Sequence, residues 1–195
     1  MAHASSATAK TVLRREMRSR RRRLAKEAPD AAEQAALQLP DRLLGRFAVV
    51  SGYHPLGGEL DPGPLMRRLR AAGAVLALPV TLDRDAPLIF RRYWPGEPVF
   101  PDAIGVPSPA PEAAETEPDL VITPLVAFDR GGARMGQGGG FYDRTLGALR
   151  ARRPVFALGL AYAGQEVAQV PHETHDQLLD AILTETGYIP VRKDI

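Results

Sequence analysis

Ala127–Arg144 reads AFDRGGARMGQGGGFYDR and follows a short apolar run, Leu120–Pro124. Six of the chain's 18 glycines fall between Gly131 and Gly140. The apolar run predicts a strand, and Gly140–Ala151 has the spacing of a helix. A glycine-rich turn between strand and helix lets backbone N–H groups converge on one point, and the positive N-terminus of the helix adds to them. Arg130, Arg134 and Arg144 bring further positive charge. The physical inference is a phosphate cradle at the carboxyl end of a strand. The alternative is a flexible loop with solvated arginines.

Known phosphate motifs do not fit. A P-loop needs Lys and Ser/Thr after its last glycine, but Gly140 is followed by Phe141 and Tyr142. A dinucleotide motif begins at Gly136 and Gly138, yet position 141 is Phe. Asp143 follows the cradle, where it could hold Mg²⁺ against a phosphate or simply favour a helix start.

Outward from this loop, strands and helices alternate. Phe47–Tyr53, Ala74–Pro79, Leu88–Trp94, Val155–Ala161 and Ala181–Thr184 read as strands. Asp30–Arg46 and Asp61–Ala72 read as helices, the former with Leu37, Leu43 and Leu44 turned inward. Residues 95–118, rich in proline, read as a long surface connection. The pattern predicts an α/β fold: a single three-layer domain with a mostly parallel central sheet. Residues 1–9 are expected to be frayed or disordered.

The first helix is crowded with Lys10, Arg14, Arg15, Arg18, the run Arg20 to Arg23, and Lys26. This is either a solvated basic face or an anion site; the four-arginine run is expected to be solvated and dispensable for activity. Net charge over 195 residues is only +2, too small to imply a polyanion partner. The absence of cysteine excludes disulfides, thiolate metal sites and a cysteine nucleophile. The segment PHETHD, with His172, Glu173, His175 and Asp176, lacks HExxH spacing and reads as a polar turn. Glu59 follows Gly57 and Gly58 just past the Phe47 strand, where α/β folds bind ligands. No apolar run approaches the length of a membrane span. The Ser/Ala-rich start before an Arg-rich helix has a superficial likeness to an organelle transit peptide, but a cytoplasmic monomer is the expectation.

Together these segments resemble one family, the 5-formyltetrahydrofolate cyclo-ligases, also called methenyltetrahydrofolate synthetases. That family carries an Arg-Leu-Gly-x-Gly-x-Gly-Tyr-Tyr-Asp loop, matched here by Arg134, Met135, Gly136, Gln137, Gly138, Gly139, Gly140, Phe141, Tyr142 and Asp143 after PLVAFD. Its N-terminal Lys-x-x-Leu-Arg matches Lys10, Leu13 and Arg14, and its strand followed by Glu matches GYHPLGGELD at 52–61. Gln165, Pro171 and Asp176 match its closing pattern. Gln137 and Ser108 depart from it, standing where Tyr or Arg and where Glu are commoner.

The resemblance implies an isomerase/CoA-transferase-like fold and ATP-dependent closure of 5-formyltetrahydrofolate to 5,10-methenyltetrahydrofolate. It implies that Lys10, Arg14 and the backbone of 134–142 bind ATP, and that Arg134 stabilises the transferring phosphoryl group. His54, Glu59 and Tyr142 would contact folate, Asp143 and Asp176 would hold Mg²⁺, and Tyr162 would help wall the pocket. Two rivals stand beside it: a basic nucleic-acid-binding protein, which leaves Asp143 and the glycine loop unexplained, and a non-catalytic folate- or nucleotide-binding regulator.

Overall fold

The computed structural model describes residues 2–174 and 176–191, with side chains from Lys10 onward; His175 of the polar turn lies outside the described residues. Helix α1 (Ala2–Glu27) takes in residues 2–9, which the sequence reading left frayed. Helix α2 spans only Ala31–Gln38, and a 3-10 turn at Asp41–Leu43 replaces the rest of the expected Asp30–Arg46 helix. Pro40 is the reason: it forces Leu39 into extended backbone and cannot donate to a helix. The helix end is closed by Arg68, which donates to the carbonyls of Ala36 (2.6 Å) and Leu39 (2.9 Å). Leu43 is buried as expected, but Leu37 is 67% exposed because it lies on the side of α2 turned away from buried Ala31 and Ala35.

The sheet is built from β1 (Val49–Ser51), β2 (Val75–Val80), β3 (Ile89–Arg92), β6 (Leu120–Pro124), β9 (Phe156–Leu160), β10 (Ala181–Thr184) and β11 (Gly187–Pro190). Their order is β11-β10-β9-β6-β1-β2-β3. The five inner strands run parallel, and β3 and β11 pair antiparallel at the two edges. The last strand was not legible because Gly187 and Pro190 bracket only two apolar residues. The expected surface connection at 95–118 carries a small hairpin, β4 (Phe100–Pro101) with β5 (Pro107–Ser108), in which Ser108 is buried and its hydroxyl donates to the Phe100 carbonyl.

The strands are buried on both faces, as parallel strands between two helical layers must be. Leu120, Ile122, Phe156, Leu158 and Leu160 face α2 and α3 (Gly63–Ala71). Val121, Ala157 and Ile182 face Leu146 and Leu149 of α4 (Phe141–Arg150). A third cluster packs Met17 of α1 against Val126, Ala127 and Met135 of the hairpin β7 (Ala127–Phe128) with β8 (Arg134–Met135), which the glycine-loop reading did not foresee. The chain steps from β1 out to β2 and β3, then returns to the other side of β1 as β6. That reversal opens a crevice at the carboxyl ends of β1 and β6, the place where open α/β sheets bind ligands.

The β7–β8 turn hangs on buried Asp129. Its Oδ1 accepts the N–H groups of Gly131 (2.9 Å) and Ala133 (3.2 Å), and its Oδ2 accepts that of Val170 (2.8 Å). Asp129→Ala leaves those donors without partners and should cost roughly 3 kcal/mol of unfolding free energy. Urea denaturation checks this; a loss below about 1 kcal/mol would show that water or a shifted backbone replaces the carboxylate.

Candidate active site

Four side chains of α1 lie on one helical stripe and reach toward the crevice: Lys10, Arg14, Arg18 and Arg21, spaced four, four and three residues apart. Arg14 Nε donates to the Gly136 carbonyl (3.0 Å). Arg18 grips Gln137 twice, through Nε to the side-chain Oε1 (2.8 Å) and Nη2 to the backbone carbonyl (2.8 Å). Lys10 pairs with Glu173 (2.8 Å) and lies 3.7 Å from Asp176. The first helix therefore ties down the glycine loop from above. Burial, and then the charge of Arg18, lower the Arg14 pKa from its ordinary value.

The loop itself turns through left-handed backbone at Gly138 (φ 105°) and Gly140 (φ 67°). At Gly140 a Cβ would lie 2.7 Å from Arg144 Nη1, and at Gly138 the nearest neighbour is the Arg14 guanidinium. Gly140 caps α4, so the first helical N–H groups open toward the loop. Arg144 donates to the carbonyls of Gly139 (2.9 Å) and Arg84 (2.7 Å), and Arg130 turns away to pair with Glu166 (2.8 Å).

Arg134 is only 5% exposed and pairs with Asp143 through Nη2 (2.9 Å); its Nη1 donates to the Gln177 carbonyl. Burial lowers its pKa, while Asp143 opposes that shift. Asp143 Oδ1 also accepts the Gln177 N–H (2.9 Å). The arginine is thus a fixed cation in the wall, aimed by a carboxylate that is itself 28% exposed.

At the opposite end, Glu59 is more buried than its glycine-flanked position suggests, with its side chain 6% exposed. Oε2 accepts the Leu56 N–H (3.0 Å), and Oε1 faces Arg21 Nη1 and Gln137 Nε2, both at 3.2 Å. Arg21 is the correction to the expected solvated run: its side chain is 3% exposed and also donates to the carbonyls of Leu125, Leu56 and Gly57. Arg20, Arg22 and Arg23 are exposed as expected. The 10–14–18–21 spacing held the signal that could have found Arg21; the uniform run of four arginines hid it. Tyr53 donates to the Leu60 carbonyl. Burial raises the pKa of Tyr53 and of Tyr142, and the Glu59 charge adds to both.

All these parts meet in one cavity of about 490 Å³. Lys10, Arg14, His54, Glu59, residues 134–142, Asp143 and Asp176 line it, so every residue singled out for ligand binding is brought together. Sequence reasoning missed its apolar wall, made by Pro79, Leu88, Ile104 and Val106. Ile104 and Val106 are set by Asp102, whose Oδ1 accepts the N–H of Ile104 (3.0 Å) and of Val106 (2.9 Å). Tyr162 does not wall the cavity; it is buried in the core beside Leu160. Gln165 is likewise buried, donating to the carbonyls of Leu125 and Val126.

Fold and cavity define an α/β protein with a basic, glycine-lined binding site at a topological switch point. The chain belongs to the 5-formyltetrahydrofolate cyclo-ligase family, whose model matches residues 6–185. It is 35% identical over 180 residues to the 5-formyltetrahydrofolate cyclo-ligase of Escherichia coli K12, covering 86% of this chain and 96% of that one. It is 36% identical over 152 residues to the Mycolicibacterium smegmatis enzyme of the same name, covering 73% and 77%. Among solved structures, the 5,10-methenyltetrahydrofolate synthetase of Aquifex aeolicus superposes with a TM-score of 0.72 at 25% identity, over 95% of this chain and 94% of that one. That of Mycoplasma pneumoniae gives 0.71 at 22%, over 90% and 98%.

Tyr53 and Tyr142, the raised tyrosines that line the cavity, make alkaline stability a test of the site. In the unfolded chain tyrosine ionises near 10, whereas the folded protein keeps Tyr53 and Tyr142 protonated there. The folded state then binds more protons, so stability falls as pH rises above about 10, by about 1.4 kcal/mol per pH unit for each tyrosine. Urea midpoints between pH 9 and 11 should show the slope. Tyr142→Phe should make it shallower, and an unchanged slope would mean that Tyr142 ionises freely in the fold.

Proposed function

We propose that this chain closes 5-formyltetrahydrofolate to 5,10-methenyltetrahydrofolate at the expense of ATP, releasing ADP and phosphate. The supporting observation is the single cavity that joins a basic glycine cradle to a buried carboxylate in a member of this family. Backbone N–H groups of 136–142, with Lys10 and Arg14, receive the ATP phosphates. Glu59 accepts hydrogen bonds from the N–H groups of the pterin, with His54 and Tyr142 beside it.

The formamide oxygen attacks the γ-phosphorus and the bond to ADP breaks, giving an iminium phosphate. The neighbouring folate amine then attacks the activated carbon and loses its proton. Phosphate departs with the carbon–oxygen bond pair. The protein supplies alignment and charge neutralisation, not a nucleophile. Arg134 fits the second task, since a buried guanidinium already oriented by Asp143 needs little reorganisation when charge develops.

Asp143 and Asp176 are the residues for Mg²⁺. Among the described residues no cluster of three or more His, Asp or Glu side chains forms a protein cage. Two partly exposed carboxylates on one cavity fit a cation that takes one or two carboxylates and completes its shell with phosphate and water. When bound, such an ion neutralises phosphate charge. No helix among the described residues is long and apolar enough to cross a membrane.

Growth of the methenyl chromophore from 5-formyltetrahydrofolate, dependent on ATP and accompanied by ADP release, tests this. Folate binding without ADP release would favour the regulator instead. Asp143→Asn keeps an oxygen for Gln177 and Arg134 but loses the charge. It should raise the Mg²⁺ needed for half-maximal turnover by about tenfold or more, with nucleotide-free folate binding nearly unchanged. An unmoved Mg²⁺ dependence would leave Asp143 as the partner of Arg134 alone.

A further inference from the structure

We propose that Arg21 is a positioning residue for the folate end of the site, holding Glu59 both in place and in its ionised form. The proposal rests on the reading of Glu59 as the acceptor for the pterin N–H groups. Arg21 crosses from α1 and meets Glu59 at 3.2 Å with both side chains almost fully buried. The same guanidinium takes the carbonyls of Leu56 and Gly57, the turn that carries Glu59, and that of Leu125 beyond β6. One side chain thus fixes the carboxylate, its turn and the strand on the other side of the crevice. Its Nε is buried with no partner among the described residues. An unpaired donor is costly to bury, so the placement serves the other contacts.

The charge environment of Glu59 explains why a cation is needed there. Its own segment presents Tyr53 and, next to that ring, Asp61. Helix α4 presents Tyr142, which also feels the charge of Arg134. His54 shares the cavity, Gln137 contributes a neutral donor, and Arg18 reaches Glu59 only through Gln137. Arg21 is the cation in direct contact. A buried carboxylate deprived of its cation favours its protonated form. A protonated acid presents a donor where the pterin also presents donors.

The consequence is a specific kinetic pattern. In Arg21→Met only the ionised fraction of Glu59 accepts folate. Below the titration midpoint of that variant the folate KM should therefore rise about tenfold for each unit of falling pH. The KM for ATP, and kcat at saturating folate, should stay within about twofold of the parent protein. Arg21→Lys restores the charge and should flatten the profile. Steady-state kinetics between pH 6 and 9 on these variants provide the test, with exposed Arg20→Met as the control. If the methionine variant does not fold, Arg21→Gln, which keeps donors without charge, carries the same expectation. A folate KM that is unchanged, or raised by one constant factor at every pH, overturns the proposal and leaves Arg21 a structural brace. Glu59→Gln separates the two readings: a raised folate KM there with a flat Arg21→Met profile refutes Arg21 alone. An unchanged KM in Glu59→Gln refutes the assignment of Glu59 itself.

Discussion

The site depends on the docking of one basic helix across the carboxyl edge of the sheet. Strands β1 and β6 pair in parallel, but β1 leads to α3 on one face of the sheet and β6 to α4 on the other, and the crevice opens where the two connections part. Helix α1 supplies the cover. Its inward stripe reaches the polar turn at 173–176 through Lys10, the glycine loop through Arg14 and Arg18, and the Glu59 turn through Arg21. The glycine loop is held from two sides: Arg14 and Arg18 take the carbonyls of Gly136 and Gln137, and Arg144 takes that of Gly139. Fixing a glycine-rich backbone in advance removes part of the ordering cost that a ligand would otherwise meet on binding.

This arrangement uses charge differently at its two ends. On the loop, Arg14, Arg18 and Arg144 face neutral oxygens, which are weaker partners than a charged oxygen would be. At the Glu59 end, Arg21 faces a buried carboxylate, and neither group is free to leave. Between them Gln137 links both regions, accepting from Arg18 and donating to Glu59. A residue that departs from the usual family pattern therefore occupies the seam between the two halves of the cavity.

The alternation of strands and helices was legible because periodicity and turn residues agreed with tertiary structure over most of the chain. It failed where a single backbone effect overrode pattern, as at Pro40, which ended α2 early; Leu37, inside that short helix, falls on its solvent side. It failed too in the short β4–β5 and β7–β8 hairpins, whose two-residue strands have no period to detect. The candidate site residues were legible as types around a glycine loop, and one cavity brings them together. Arg21 was not, because a run of identical side chains conceals which one turns inward. The apolar wall from Pro79 to Val106 was also hidden, since its members are ordinary core residues in the sequence and meet only in three dimensions.

Helix α1 precedes most of its partners by a long stretch of chain. Its hydrogen bonds reach 122 positions onward to Gly136, 119 to Gln137 and 104 to Leu125. Such long loop closures are entropically expensive and slow to form. During synthesis the upper part of that cationic face therefore lacks its loop partners until the glycine loop has emerged. Synthesis of β6 and the glycine loop then gives that face its seat. The contacts that seat the helix are thus the same ones that close the cavity, so docking the helix and shaping the binding site are one event.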